Sequence, residues 1–430
     1  MKKHCIAFLH TLLSTLAKKW VTKHQPIVIG GTGSVGKTSS RMVMYRVLQE
    51  VLPEKQIYTS PKNFNSEIGI VLSLFQIESY SPTFVATLLV LKQMLSRLIF
   101  SSKPYDIILL EYGIDHPGDM QFLTDIVQPD YSLFTKLDAV HGEYFDNIHA
   151  IGDEKFILMQ RTKIMTYLNA SDEYCKNIGA PALEQKDVSI QWYNGDGMNI
   201  TGIHIGKRGN ALGIEFDRQD THVMTNLLGE ENANYINIAL DLGQRLGAKK
   251  YKKNISLEFE LQPGRSHIFH GICDSVIIDS SYNAAPASMQ KMIETTKALR
   301  ESCYPGYGII CVLGDMRELG DYSQQAHKDI AGYLDGVDYV CTIGPEMQQY
   351  LDIKNKQSFL SARKAGQAVK EYLSSTDKKY IILVKGSQNT IFSEEAVKEI
   401  LAHSDDMKQL VRQDQSWLKK KKKFFERIEK

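Results

Sequence analysis

The sequence has almost no net charge, because 51 Lys and Arg side chains are balanced by 50 Asp and Glu in a chain of 430 residues. A chain with this balance has no general attraction for nucleic acid or a membrane surface, so polyanion binding would require a local patch. One such patch is the run of five lysines from Lys419 to Lys423. We expect it to be a solvated, frayed end, with contact to anionic lipid as the alternative. The composition, 43% hydrophobic and 23% charged, excludes global disorder.

Cysteine is also sparse. The six cysteines are scattered and no two form a CxxC pair, which excludes the common zinc and thioredoxin-type motifs. Cys311 and Cys341 lie in apolar, strand-like runs, so we predict that both are buried in the core. Free thiols of this kind are typical of a reducing compartment, and we therefore expect a cytoplasmic protein.

Long hydrophobic runs are absent too. Two apolar stretches, 6–17 and 84–100, both fall short of the about 20 uncharged residues that a membrane span needs, so no transmembrane helix is predicted. The first stretch is flanked by lysines, as in a signal peptide, but Leu13, Leu16 and Trp20 follow helical spacing. The pattern predicts an amphipathic helix on the body of the protein, with membrane contact as the alternative.

What the sequence does contain is a repeated strand–helix pattern. Short apolar runs that end in Gly- or Asp-rich turns predict an α/β fold with a parallel sheet covered by helices. Between residues 187 and 224, Asn-Gly and Gly-rich turns predict a small antiparallel addition. A second series of four strands begins near residue 275 and predicts a doubly wound, Rossmann-like unit. We therefore expect an N-terminal amphipathic helix (1–25), a central domain (26–262) and a C-terminal domain with a basic tail (263–430).

The clearest motif follows the first predicted strand. From Gly31 to Thr38 the sequence matches GxxxxGKT, and a helical run follows. In such a P-loop the backbone N–H groups and the helix N-terminus surround phosphates, while the lysine contacts the terminal phosphates and the threonine binds magnesium. The run also matches the dinucleotide motif GxGxxG, but the Lys37-Thr38 pair favours a nucleoside triphosphate with its metal. The predicted cofactor-binding residues of the loop are Gly31, Thr32, Gly33, Ser34, Gly36, Lys37, Thr38 and Ser39.

Two further strand ends carry candidate metal ligands. Glu111 ends the apolar run 107–110, and His141 follows the run 132–137. Because the carboxyl ends of parallel strands meet at one edge of a sheet, where ligands bind, we expect both side chains beside the P-loop. The predicted magnesium ligands are Thr38, Glu111 and His141, with a structural role as the alternative for the histidine.

Seven sequence blocks in order resemble the Mur ligases, and most of all the D-alanyl-D-alanine-adding members of that family. The resemblance extends from Pro26 to about Leu401 and implies a P-loop ATPase domain followed by a Rossmann-like domain. It also implies an ATP-dependent ligase that forms an amide bond through an acyl phosphate, with two magnesium ions. The blocks are 32–39, 63–69, 111–119, 140–141, 278–286, 312–320 and 384–387.

The resemblance implies further site residues by position. Lys155 matches a lysine that is carbamylated in the family, whereas a surface ion pair with Asp153 or Glu154 is the alternative. Arg265 matches an arginine that reaches the γ-phosphate when the domains close. The implied catalytic residues are Lys37, Lys155, Arg265 and His141; the added cofactor-binding residues are Asn234, Asn237, Arg265 and Asp279; and the substrate-binding residues are Asn63, Asn65, Asn283, Lys385 and Ser387.

The resemblance also implies a substrate, because such members add D-alanyl-D-alanine to UDP-N-acetylmuramoyl-tripeptide in peptidoglycan precursor synthesis. They carry an N-terminal domain that holds the UDP group, and only 25 residues precede Pro26 here. A different carboxylate donor, as in amino-acid-polymerising or folate-extending ligases, is therefore an alternative, and an inactive nucleotide-binding partner protein is another. We expect a monomer that binds a carboxylate donor and a dipeptide acceptor, no nucleic acid, and at most a membrane surface through its basic tail.

Overall fold

The computed structural model describes residues 2–61, 67–78, 80, 84–138, 145, 147–184, 186–194, 200–208, 211–218, 220–249, 251–388 and 390–429. Three predicted site residues, His141, Asn63 and Asn65, lie outside these ranges. Their roles therefore stay predictions.

A six-stranded parallel sheet forms the centre of the N-terminal half. Its strands are β1 (Ile27–Thr32), β2 (Ile57–Thr59), β3 (Ile107–Glu111), β4 (Tyr131–Phe134), β5 (Met165–Asn169) and β6 (Ser189–Tyr193). They lie in the order β2–β3–β1–β4–β5–β6, and all pairs are parallel. The central strands are almost fully buried, as expected for apolar runs covered on both faces. The predicted parallel sheet is confirmed.

The described residues of this half include seven α-helices. They are α1 (Lys2–His24), α2 (Lys37–Val51), α3 (Glu67–Leu74), α4 (Phe84–Phe100), α5 (Asp119–Ile126), α6 (Ile148–Gln160) and α7 (Glu230–Arg245). Helices α2 and α7 pack together on one face of the sheet, and the others form a core on the opposite face. The predicted N-terminal helix is confirmed: Leu13, Leu16 and Trp20 are buried, and Trp20 Nε1 donates a hydrogen bond to Tyr105 Oη at 3.0 Å.

A smaller sheet of four strands packs against α7. It comprises β7 (Ile200–Arg208), β8 (Ala211–Arg218), β9 (Thr221–Thr225) and β10 (Asn254–Leu257), of which the first three are antiparallel and β10 is parallel to β9. The predicted antiparallel addition is confirmed, but its predicted start at residue 187 is wrong. Residues 189–193 form β6, which pairs with β5 in the parallel sheet. The two strands run in the same direction because a crossover connection joins them.

The C-terminal half contains a second six-stranded sheet. Its strands are β11 (His267–His270), β12 (Val276–Ser280), β13 (Gly308–Gly314), β14 (Tyr339–Ile343), β15 (Lys356–Phe359) and β16 (Tyr380–Lys385), in the order β11–β12–β16–β13–β14–β15. Helices α8 (Pro286–Cys303), α9 (Ser323–Asp329), α10 (Pro345–Tyr350), α11 (Ala362–Ser374) and α12 (Glu394–Ile400) cover it. Only β11 is antiparallel. The four predicted strands are confirmed, and Cys311 and Cys341 are fully buried as expected.

The basic run lies in the last helix, α13 (Gln415–Ile428), which packs against the C-terminal core. Lys421 is 1% exposed, and its Nζ lies 2.8 Å from Glu394 Oε1 and 3.0 Å from Glu395 Oε1. The prediction of a frayed end is therefore wrong, because these buried carboxylates hold the helix on the protein. The neighbouring lysines are exposed. No helix within the described ranges is long and apolar enough to cross a membrane.

Candidate active site

The loop between β1 and α2 has the backbone shape that phosphate binding requires. Gly33 and Gly36 have φ values of 140° and 89°, which other residues rarely adopt. A Cβ at Gly33 would lie 2.0 Å from Thr135 Oγ1, so the position also needs glycine for space. Thr135 Oγ1 is 3.1 Å from Thr32 O and 2.6 Å from Val35 O. These hydrogen bonds hold the loop against the end of β4.

The first two residues of α2 face different groups. Lys37 Nζ donates to Gly33 O at 2.6 Å and to Ser34 O at 3.1 Å, so its ammonium lies over the loop. Burial lowers the pKa of Lys37. Thr38 Oγ1 donates to Glu111 Oε2 at 2.9 Å. The structure thus brings the three central residues of the predicted nucleotide and metal site together.

Glu111 has a cationic neighbour that the sequence did not reveal. Arg41 Nε lies 3.5 Å from Glu111 Oε2, and both side chains are 4% exposed. Arg41 Nη1 also donates to Thr59 Oγ1 at 2.5 Å and to Ser60 O at 2.6 Å, at the end of β2. Arg41 lies inside α2 and belongs to no motif, so only the fold shows that it orients the carboxylate.

Lys155 lies in α6, is fully buried, and its amine has no hydrogen-bond acceptor among the described residues. Burial, and then the positive charge of Lys37, lower the pKa of Lys155 well below its ordinary value. The alternative of a surface ion pair is wrong. Glu154 accepts from two backbone N–H groups at the start of α5, at 2.8 and 3.0 Å, and Asp153 accepts from Tyr174 Oη at 2.7 Å.

Residues of the C-terminal half form the opposite wall of the site. The Arg265 guanidinium lies 4.2 Å from the Tyr282 ring centroid, and none of the described residues accepts a hydrogen bond from its Nε. Lys385 is 4% exposed and donates to Asn283 O at 2.9 Å, and Ser387 Oγ donates to Asn283 Oδ1 at 2.8 Å. Burial, and then Arg265, lower the pKa of Lys385 to about 7. Two cations on this wall suit an anionic ligand.

The two walls enclose a cleft of about 650 Å³. Most of the predicted site residues within the described ranges border it. The predicted residues that line it are Ser34, Gly36, Lys37, Thr38, Ser39, Glu111, Asn234, Arg265, Asn283 and Lys385.

Several predicted residues do not line the cleft. Asn237 is 1% exposed, and Arg218 Nε donates to its Oδ1, so it is a core residue of α7. Asp279 is fully buried, burial raises its pKa to about 6, and Ser280 lines the cleft in its place. These buried positions do not favour the direct nucleotide contacts that the resemblance implies for Asn237 and Asp279. The other predicted residues outside the lining are Gly31, Thr32, Gly33, Lys155 and Ser387.

A cluster of amide and hydroxyl side chains that sequence reasoning missed also lines the cleft. Asn169 and Ser171 lie at the end of β5, and Asn194 follows β6. Asn194 Nδ2 donates to Ser171 Oγ at 2.6 Å, and Asn234 Nδ2 donates to Asn194 Oδ1 at 3.3 Å. Their position at the carboxyl ends of parallel strands could have identified them as ligand-binding candidates. The prediction of a hairpin at the Asn-Gly pair that begins with Asn194 placed that residue outside the parallel sheet.

Polar contacts of Asp138 and Glu230 join the halves beside the cleft. Asp138 Oδ2 accepts from Ala287 N at 3.0 Å, in the first turn of α8. Glu230 Oε2, at the start of α7, lies 3.1 Å from Lys291 Nζ in α8. A carboxylate at a helix N-terminus satisfies a free N–H and interacts favourably with the helix dipole. The Asp138 contact therefore favours the observed arrangement of the two walls.

The residues present fit a nucleoside triphosphate with Mg²⁺. The loop offers backbone N–H groups and Lys37 to phosphates, and Thr38 with Glu111 provides a hydroxyl and a carboxylate. Mg²⁺ commonly binds through one or two carboxylates, phosphate oxygens and water. It does not need a cluster of three or more His, Cys, Asp or Glu side chains, and the described part of the chain contains none.

Comparisons with known proteins identify related chains. The family model of the Mur ligase middle domain matches residues 32–242, and that of the Mur ligase glutamate ligase domain matches residues 264–388. The UDP-N-acetylmuramoyl-tripeptide–D-alanyl-D-alanine ligase of Haemophilus influenzae is 24% identical over 389 residues, which cover 88% of this chain and 77% of that protein.

Two solved structures share the fold. The MurF ligase of Thermotoga maritima in complex with ADP superposes with a TM-score of 0.68 at 20% identity, covering 90% of this chain and 84% of the other. Folylpolyglutamate synthase of Thermotoga maritima superposes with a TM-score of 0.51 at 15% identity, covering 92% and 96%.

Proposed function

Because the chain belongs to the Mur ligase family of ATP-dependent, ADP-forming ligases, we propose that it joins D-alanyl-D-alanine to UDP-N-acetylmuramoyl-tripeptide. Relatives over most of the chain are named for this reaction. The observation that supports the proposal most directly is the cleft, in which Lys37, Thr38 and Glu111 face Arg265 and Lys385. One wall suits a triphosphate, and the other suits an anionic reactant.

In this reaction a carboxylate oxygen of the donor attacks the γ-phosphorus of ATP, the bond to the β-phosphate oxygen breaks, and ADP leaves. The amine nitrogen of the dipeptide then attacks the acyl carbon, phosphate leaves, and the nitrogen loses a proton. Both reactants of the first step are anions. The main contributions of the protein are therefore charge neutralisation and ordering of the reactants.

The residues of the cleft divide this work. Lys37 contacts the β- and γ-phosphates, and Thr38 and Glu111 hold a magnesium ion. Bound magnesium neutralises charge on phosphate oxygens. We propose that His141 helps to hold a second magnesium ion. Arg265 turns from its aromatic neighbour onto the γ-phosphate when the central (26–262) and C-terminal (263–430) domains close, since its Nε is free of hydrogen bonds to described residues.

The rest of the cleft is assigned to the remaining substrate groups. Asn169, Asn194 and Asn234 border the same side of the cleft and offer amide donors and acceptors to the adenine. Lys385, with Asn283, binds the dipeptide or the transferred phosphoryl group. Ser387 orients Asn283, and Asn63 and Asn65 remain proposed substrate contacts.

We also propose that Lys155 reacts with carbon dioxide to form a carbamate. Its lowered pKa increases the neutral, nucleophilic fraction of the amine, the nitrogen–carbon bond forms, and one proton is lost. The product places an anion where an unpaired cation would otherwise be buried near Lys37. Protein in ¹³C-labelled bicarbonate should give a carbamate resonance that Lys155→Arg lacks. A wild-type spectrum without that resonance refutes the modification.

The test of the function is ADP release from ATP with each substrate omitted in turn. We expect release to require the muramoyl-tripeptide nucleotide, and the peptide product to require D-alanyl-D-alanine as well. Lys37→Met should abolish release while Lys186→Met, an exposed lysine elsewhere, should not. If release is indifferent to both peptide substrates, the proposed substrates are wrong.

A different carboxylate donor is the second candidate, because the fold also matches folylpolyglutamate synthase over 96% of that chain. A screen of carboxylate donors for ADP release separates the two. An inactive nucleotide-binding partner protein would bind ATP without releasing ADP on any donor. We further propose a cytoplasmic monomer, which size-exclusion chromatography and cell fractionation test.

A further inference from the structure

Helix α4 exposes a row of large apolar side chains. Leu88, Leu89 and Leu95 are 49%, 56% and 46% exposed, and Ile99 and Phe100 are 64% and 82% exposed. These five residues, which we call the α4 stripe, recur at spacings that share one side of a helix. Single exposed leucines are ordinary, whereas a contiguous apolar patch marks an interaction surface. The stripe is therefore a candidate interaction surface.

The two helices of this region carry positive charge only. Neither α1 nor α4 contains Asp or Glu, and the chain has no acidic residue before Glu50. Lys92 is exposed and lies between Leu88 and Leu95 on the same side of α4. Its aliphatic stem can follow an apolar surface while the ammonium reaches a polar medium. The charge around the stripe is thus suited to an anionic partner.

Helices α1 and α4 form one surface because their ends are joined. Lys23 Nζ, near the end of α1, donates to Leu98 O at 2.6 Å. Lys19 is exposed and lies one turn earlier on the same side of α1. Burial, and then the charges of Lys23 and Lys103, lower the pKa of His24 at the end of α1. The α4 stripe is therefore bordered by a row of cations.

We propose that this α1–α4 surface docks the protein on the surface of an anionic phospholipid bilayer. The apolar side chains enter the boundary between headgroups and acyl chains, while the lysines contact lipid phosphates. A second copy of the chain fits less well, because a two-fold dimer places the same cations against each other. The inference does not depend on the proposed reaction, since none of these residues lines the cleft.

The test is co-sedimentation of the full chain with phospholipid vesicles. We expect binding to vesicles that contain phosphatidylglycerol and much weaker binding to pure phosphatidylcholine. The variant L95Q/I99Q should bind anionic vesicles at least about tenfold less tightly, because two apolar side chains no longer enter the bilayer. The variant K19Q/K92Q should lose about 25-fold, since each cation near such a surface contributes about fivefold.

The matched control is I178Q/L360Q, which replaces two exposed apolar side chains outside α1 and α4 and should bind like the wild type. Equal melting temperatures of all variants show that they are folded. These binding measurements need no substrate, so their outcome does not depend on whether the proposed function is correct.

Any of the following results would overturn the inference. The first is absence of wild-type binding to anionic vesicles, or undiminished binding of L95Q/I99Q. The second is loss of binding when the exposed lysines of α13 are replaced in K419Q/K420Q/K422Q/K423Q while the α4 variant binds normally. The third is a wild-type dimer that does not bind vesicles and that L95Q/I99Q converts to a monomer in sedimentation velocity.

Discussion

Arg412 donates hydrogen bonds to both carboxylate oxygens of Glu394, each at 2.9 Å, in a buried pair that precedes the last helix. The same guanidinium donates to Ser281 O at 2.7 Å and Tyr282 O at 3.2 Å. Tyr282 in turn lies against Arg265 in the cleft. The segment after the C-terminal sheet therefore holds the loop that carries one wall of the active site.

We expect Arg412→Gln to lower the free energy of unfolding by about 3 kcal/mol. This is the lower end of the range for breaking a buried ion pair, because Lys421 still pairs with Glu394 in the variant. Arg412→Lys should recover part of the loss, since it keeps the charge but not the forked geometry. Urea denaturation followed by circular dichroism measures both. The control Arg300→Gln breaks an exposed pair with Glu301 and should have little effect. Equal destabilisation by both Gln variants would contradict the assigned role.

Glu111→Gln should weaken the binding of the magnesium ion that ADP release requires. The amide cannot supply the charge that Thr38 Oγ1 now contacts at 2.9 Å, so we expect the half-saturating magnesium concentration to rise at least about tenfold. Titration of activity with MgCl₂ at saturating ATP measures it. Asp241→Asn, a carboxylate in a separate network with Tyr167, is the control. An unchanged magnesium curve would exclude Glu111 as a ligand.

The activity should depend on the protonation of Lys385. Its pKa is lowered to about 7 by burial and then by Arg265, so the free enzyme loses this cation as the pH rises through about 7. If the ammonium binds an anion, kcat/KM for the peptide substrates falls over that interval. In Lys385→Arg the side chain stays charged across this pH range. The fall in kcat/KM near pH 7 should therefore disappear, even if the variant is slower at every pH. The same inflection in Lys385→Arg would assign it to another group.

Asp138→Ala should weaken the observed arrangement of the two halves. It removes the acceptor for Ala287 N at the start of α8, an effect of about 1 kcal/mol for a helix cap, which corresponds to about a fivefold lower kcat/KM if catalysis passes through this arrangement. Asp138→Asn keeps an oxygen acceptor and should lose less. Steady-state kinetics measures both variants. Lys291→Gln, which breaks the more exposed contact with Glu230, is the comparison, and an equal effect of all three would exclude a specific role for Asp138.

The parts of the site that were predictable are those whose geometry is local. The GxxxxGKT run specifies its own backbone, because Gly33 and Gly36 occupy positive φ and the helix starts at Lys37. Glu111 was predictable because it ends a buried parallel strand beside that loop. Arg265, Asn283 and Lys385 were located by resemblance of their sequence blocks, and the structure places all three at the cleft.

The parts that were missed depend on pairing between distant segments. Asn194 follows β6, which pairs with β5, and β5 ends at Asn169. The Asn-Gly pair after β6 is typical of a tight turn and predicts a hairpin instead. Alternation along a segment does not specify which strand it pairs with. The resemblance implies a nucleotide contact for Asn237 as for Asn234, but Arg218 donates a hydrogen bond to Asn237 from across the fold, and the side chain lies in the core.

The sequence by itself determined the two α/β halves, the P-loop and the family, because periodicity and motifs are properties of neighbouring residues. Only the tertiary structure decided the state of the lysines. Lys155 stands beside Asp153 and Glu154 in the sequence, but those carboxylates bind Tyr174 and the start of α5, and its amine is left buried and unpaired. Lys421, in a run that looked fully solvated, is buried against Glu394. Charge and solvation are set by the groups that folding brings into contact, and spacing along the chain does not contain that information.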